Sequence, residues 1–128
     1  MQTLQLPLGV GALLFGSAIL LIVLGVPLMQ RKVPPNWAYG VRIKATMSDD
    51  AIWYAVNEKS GRDLVVLGVA YLAALILAHT LFRTASIPVR VLGPVALLSV
   101  GLIVLVVRGN STANAMLAQS PAPSAEQR

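Results

Sequence analysis

The chemistry-bearing side chains of this 128-residue chain crowd into one segment. Residues 35–53, PNWAYGVRIKATMSDDAIW, carry two tryptophans, Tyr39, Asn36, Arg42, Lys44, Thr46, Asp49 and Asp50 between runs that are almost wholly apolar. Asn57 and Asp63 follow before the next apolar run. A guanidinium set among amides, a hydroxyl and carboxylates can order a loop through hydrogen bonds or hold an anion. Covalent or acid–base catalysis needs other pairings, and these are absent. The sequence has no H-E-x-x-H, no G-x-S-x-G and no phosphate-binding glycine loop. With no cysteine and a single histidine, His79, neither a metal cluster nor a Ser-His dyad is expected, and no cofactor is called for.

The remaining polar residues each have a plain reading beside a sharper one. His79 is a proton-sensitive group at a membrane boundary, or an interfacial residue one turn before Arg83. Ser17 and Ser99, inside apolar runs, are read as bonding to their own helix backbones. Asp63 opens an apolar run, where a carboxylate wants a cation, and Arg42 or Arg62 is the expected partner. Its alternative is a charge that ends a loop in water.

The elements that must position these residues are set by composition. Apolar residues make up 56% of the chain and charged ones 12%, too few polar groups to cover a soluble core of this size. Three runs, 6–29, 64–82 and 88–107, are long enough as helices to cross a hydrocarbon layer about 30 Å thick. The expected fold is therefore an all-α membrane protein. It has three transmembrane helices within 1–108, an ordered connector over 30–63 that includes a short interfacial helix, and a flexible tail over 109–128. The first run has no basic segment before it and no small-residue cleavage site after it, so it reads as an anchor.

Orientation follows from the basic residues. Six of them lie in the connector (Arg31, Lys32, Arg42, Lys44, Lys59, Arg62) and two in the tail (Arg108, Arg128), against Arg83 and Arg90 in the short turn. The positive-inside rule then places connector and tail in the cytoplasm and the N-terminus outside. The net charge of +5 is assigned to this topology and to anionic headgroups, with no nucleic-acid partner expected.

Within the connector, Pro34-Pro35 gives a rigid, extended exit from the first helix, and Gly40 allows a tight turn. Ser48 is the expected N-cap of the next helix, with Asp49 and Asp50 in its first turn and Met47 and Ile52 forming a hydrophobic staple. Trp53 and Tyr54 are expected at headgroup level. That helix either bends at Ser60-Gly61 or runs unbroken into the second span. Ala70, Ala74 and Ala78 form a small-residue stripe, expected to meet Ala12 and Gly16 of the first helix. Gly93-Pro94 should kink the third helix or mark its start. From Gly109 the chain reads as frayed helix and then disorder.

The order Asn36, Tyr39-Gly40-Val41-Arg42, Thr46, Ser48, an acidic pair, Trp53, Asn57 and Gly61 resembles the SdpI family, small bacterial membrane proteins named for immunity to a secreted toxin. The likeness covers about 35–68. Family members often carry threonine after the arginine, where this chain has Ile43, and larger members add a further membrane module. The resemblance implies a bacterial plasma-membrane protein that is not an enzyme. It would give self-protection against a membrane-active peptide and have a signalling role. Implied partners are membrane lipids, a peptide toxin and a cytosolic regulator. Arg42 is the residue it singles out, to hold a carboxylate, a lipid phosphate or helix-end carbonyls, with Asn36 and Thr46 bracing the loop and Trp53 packing it. A competing reading is a lipid-binding protein or membrane enzyme that uses Asn36, Arg42, Asn57 and Asp63 at the inner headgroup layer.

Overall fold

The computed structural model describes residues 7–82 and 84–120. It consists of four helices: α1 (Leu8–Met29), α2 (Lys44–Ser48), α3 (Asp50–Leu81) and α4 (Ile87–Gln119). Three of them, α1, α3 and α4, are long and apolar enough to cross a membrane. At 1.5 Å per residue α1 spans about 33 Å, close to one hydrocarbon thickness. By the same measure α3 and α4 reach about 48 and 50 Å, so each must project some 18–20 Å beyond the layer. Both projections fall at the connector end. The protein is thus a membrane bundle with a small helical cap.

α3 is the central element, with α1 and α4 packed against it. It runs through Gly61 without a break, which settles the choice left open by the sequence. Gly61 is there for close approach. A Cβ on it would sit 2.5 Å from the Met29 amide nitrogen and 2.7 Å from the Gly25 carbonyl oxygen. One heptad on, a Cβ on Gly68 would meet Ile22 at 2.8 Å and the Ala18 carbonyl at 3.1 Å. The α1–α3 crossing is therefore built on Ala18 and Gly25 against Gly61 and Gly68. This corrects the expected pairing of Ala12 and Gly16 with the alanine stripe. Ala12 and Gly16 are exposed, and Ala70 and Ala74 face toward α4 instead.

Two apolar clusters result. Inside the bundle, Leu14, Ala18, Tyr71 and Leu75 are buried, with Phe15, Leu72, Val91, Val95 and Leu98 around them. In the cap, Ala45, Ile52, Val56 and Ala113 are buried beneath Val41, Ile43 and Met116. Ala113 belongs to the region read from sequence as frayed. Helix α4 passes through Gly93-Pro94 and continues to Gln119, because its last three turns have the connector to pack against. The order of 109–119 is the correction; the disorder expected over 121–128 lies outside the described residues.

Polar groups inside the spans serve their own helices. Ser17 Oγ donates to the Leu14 carbonyl at 2.8 Å and Ser99 Oγ to Val95 at 2.9 Å. His79 Nδ1 lies 2.9 Å from the Leu75 carbonyl, and its ring packs tilted against Phe15.

Candidate functional site: the connector clasp

The chain leaves α1 through a Schellman motif, in which the Arg31 amide donates to the Leu28 carbonyl and the Lys32 amide to Pro27. Arg31 occupies the left-handed position of that motif (φ 56°), where glycine is usual. The strain, on the order of 1 kcal/mol, is offset by its Nε donating to Glu58 at 2.6 Å. Arg62, one turn along α3, reaches the other Glu58 oxygen at 3.4 Å. One carboxylate thus links the end of α1 to α3.

Asn36 then closes an Asx turn. Its Oδ1 accepts from the amides of Ala38 (2.7 Å) and Tyr39 (3.0 Å), while its Nδ2 donates to the Pro34 carbonyl. Gly40 follows with φ +117°, a conformation L side chains rarely adopt. It also lies against the cap core, since a Cβ there would come within 2.7 Å of Asn57 Oδ1 and 3.2 Å of the Trp53 ring. That turn delivers the Val41 amide to Asn57 Oδ1 at 2.6 Å, while Asn57 Nδ2 donates to the Trp53 carbonyl. Asn57 is 2% exposed, so a buried amide satisfies a strand-like segment that has no sheet to join.

Thr46 has the same kind of role one step later. Its Oγ1 accepts from the Ile43 amide at 3.0 Å, and its single proton can serve the Val41 carbonyl (2.7 Å) or that of Ile43 (3.0 Å). Trp53 is fully buried and its Nε1 donates to the Val33 carbonyl at 3.0 Å. It is therefore a core residue of the cap and not the interfacial ring expected from sequence, and Tyr54 beside it is half-buried. The exposed ring is Trp37, at 82%.

The helix start is also corrected by one residue. Asp49 is the N-cap of α3, with Oδ1 accepting from Ala51 (2.7 Å) and Ile52 (3.2 Å), and Asp50 is in the first turn. Ser48 instead ends α2 and bonds back to Ala45. With that register Met47 and Ile52 do not form the staple: Met47 is exposed and Ile52 buried. An aspartate outcompetes a serine here because its charge also favours the helix dipole.

The α4 extension closes the clasp. Gly109 lies against the connector: a Cβ there would sit 3.2 Å from Val41 and 3.3 Å from Ser60 Oγ. Lys59 Nζ donates to Thr112 Oγ1 at 3.1 Å. Asp63 pairs with Arg108 at 3.6 Å, so neither Arg42 nor Arg62 is its partner, and the sequence reading missed Arg108 because it counted that residue with the tail. Of the predicted set, Asn36, Gly40, Thr46, Trp53 and Asn57 meet in one network. Asp63 stands apart on the α3–α4 seam. Tyr39 is half-buried, and Arg42 is exposed and makes no hydrogen bond or ion pair among the described residues.

The hydrogen-bonded members of the motif therefore brace the connector on itself (Asn36, Thr46, Ser48), start α3 (Asp49) or tie the connector to α3 (Trp53, Asn57). The SdpI/YfhL protein family matches residues 32–109, which is more than half of the chain and covers most of the connector, all of α3 and α4 as far as Gly109. The chain belongs to the SdpI/YfhL family. No curated protein and no solved structure matches it. In SdpI/YfhL terms, the motif positions that look functional in sequence are mostly the clasp itself, and Arg42 and Asp50 are the charged motif residues left exposed without a bond among the described residues. One further charged residue escaped the sequence reading. Arg90, counted there as part of a surface turn, is only 5% exposed in the first turn of α4, and its proximity to Pro88 was the only sign that it lies within the helix.

Proposed function

We propose that this SdpI/YfhL-family protein is a non-enzymatic protein of the bacterial plasma membrane that protects the cell against a secreted, membrane-active peptide and relays that encounter to a cytosolic regulator. The observation that carries the reading is the family match over 32–109. The six basic residues of the connector favour a cytoplasmic clasp, with the short turn between α3 and α4 outside. On this orientation a peptide arriving from outside meets the bundle, and Arg42 is offered to the cytosol beside exposed Lys44. A guanidinium without an internal partner suits recognition of an acidic surface. The competing reading, a headgroup pocket closed over Arg42, loses support because Arg42 is exposed and the amide and hydroxyl groups around it are engaged in folding the loop.

The test is survival. The parent and Arg42→Ala are expressed at matched membrane levels in sensitive bacteria, which are then challenged with a sporulation-delaying-type peptide. The parent is expected to raise the surviving fraction and Arg42→Ala to protect less, while folding as well as the parent. A parent that gives no protection against such peptides would remove this reading.

A further inference from the structure

Part of the seam between α3 and α4 stays open. Val66, Leu67 and Ala70 on α3, with Leu97, Gly101 and Val104 on α4, line an open cavity of about 300 Å³. Leu97 also lines a second cavity of about 340 Å³, which continues along Ala74 and Ala78 to Phe82 and Val89. From Asp63 to the C-cap Phe82 the groove follows the second half of α3 for about 28 Å, close to the full hydrocarbon thickness. Each half therefore matches the depth of one leaflet.

The two ends differ. The far end is apolar, lined by Phe82 and Val89. The connector end is capped by Asp63 and Arg108. The Arg108 side chain is 54% exposed, and its Nη1 stands 3.6 Å from Asp63, too far for a hydrogen bond. Most of its donors therefore remain for another acceptor. Lys59 stands one turn from that rim on α3, a second cation at the same end of the groove, with its Nζ donating to Thr112 Oγ1. With Arg108 and Lys59 set against Asp63 this end is net positive, and a net-positive mouth at headgroup depth above a one-leaflet apolar slot is complementary to an anionic phospholipid. It is a poor match for a second copy of this chain, which would bring its own Arg108 and Lys59 to the same depth.

We propose that the α3–α4 groove is a binding site for one anionic phospholipid of the connector-side leaflet. Its phosphate lies at Arg108, with Lys59 alongside, and one acyl chain fills the slot over Ala70 and Gly101. This site adjoins the clasp at Lys59 and is independent of the immunity reading.

The test is native mass spectrometry of the full chain released from nanodiscs of equal phosphatidylglycerol and phosphatidylcholine. The variants are Arg108→Gln, which removes the phosphate contact, and Ala70→Leu, which fills the slot from an exposed position and leaves the α1 contact intact. Arg62→Gln, an exposed cation outside the groove, is the control. The parent is expected to retain one phosphatidylglycerol with a preference of about fivefold over phosphatidylcholine. Arg108→Gln and Ala70→Leu should each abolish that preference while keeping the parent's helical content, and Arg62→Gln should keep it. Equal retention of both lipids by the parent would overturn the proposal. So would a preference that survives Ala70→Leu, which would mark surface charge alone, or a dimer cross-linked through the groove.

Discussion

Asn57 shows how far residue type alone can mislead. In sequence it is one more polar residue near Arg42, available for recognition. In the fold its side chain accepts from Val41 and donates to Trp53, and no surface remains for a ligand. Asn36 and Thr46 were legible as loop braces because their partners lie within five residues. Asn57 was not, since Val41 lies 16 positions away and nothing local signals the contact. Gly40 combines both kinds of constraint, a positive φ and a Cβ position blocked by Asn57. Gly40→Ala is therefore expected to destabilise the clasp by about 1–3 kcal/mol, read as a lower unfolding midpoint in detergent with the membrane helices still formed. A midpoint equal to the parent's would mean that the turn is not held as described.

At the scale of elements, the three spans were readable from apolar length, because a bilayer imposes a threshold that few other environments do. Helix ends and helix faces were less so. The start of α3 slipped by one residue because Ser48 and Asp49 are both good caps, and the charge of Asp49 in the field of the helix dipole decides between them. The alanine stripe misled because small residues permit close approach without requiring it, whereas Gly61 and Gly68 sit where backbone meets backbone. The largest departure was the end of α4. Residues 109–119 have weak apolar character of their own and become helical against Val41, Ala45, Ile52 and Val56. Truncation after Arg108 should expose that cluster, at a cost of about 2–3 kcal/mol. Limited proteolysis is then expected to cut within residues 33–48 at protease levels that leave the full chain intact. An equally resistant connector in the truncated protein would show that α4 does not hold it.

For the whole molecule, the SdpI/YfhL motif emerges as the means by which the connector between α1 and α3, residues 30–49, becomes a compact cap on a three-helix bundle. Two apolar clusters, one inside the bundle and one in the cap, are joined by α3 and α4, which run through both. A perturbation of the bundle that moves α3 against α4 would reach the Arg42 surface through rigid helices, which is the coupling the proposed function needs. That holds only if the motif is turned inward, with Asn57 and Thr46 satisfying the connector backbone. Amide hydrogen exchange in nanodiscs reads this residue by residue. The Val41 and Ile43 amides should exchange at least tenfold more slowly than that of Trp37, which makes no hydrogen bond among the described residues, and Asn57→Ala should release Val41. Val41 exchanging as fast as Trp37 in the parent would contradict the clasp.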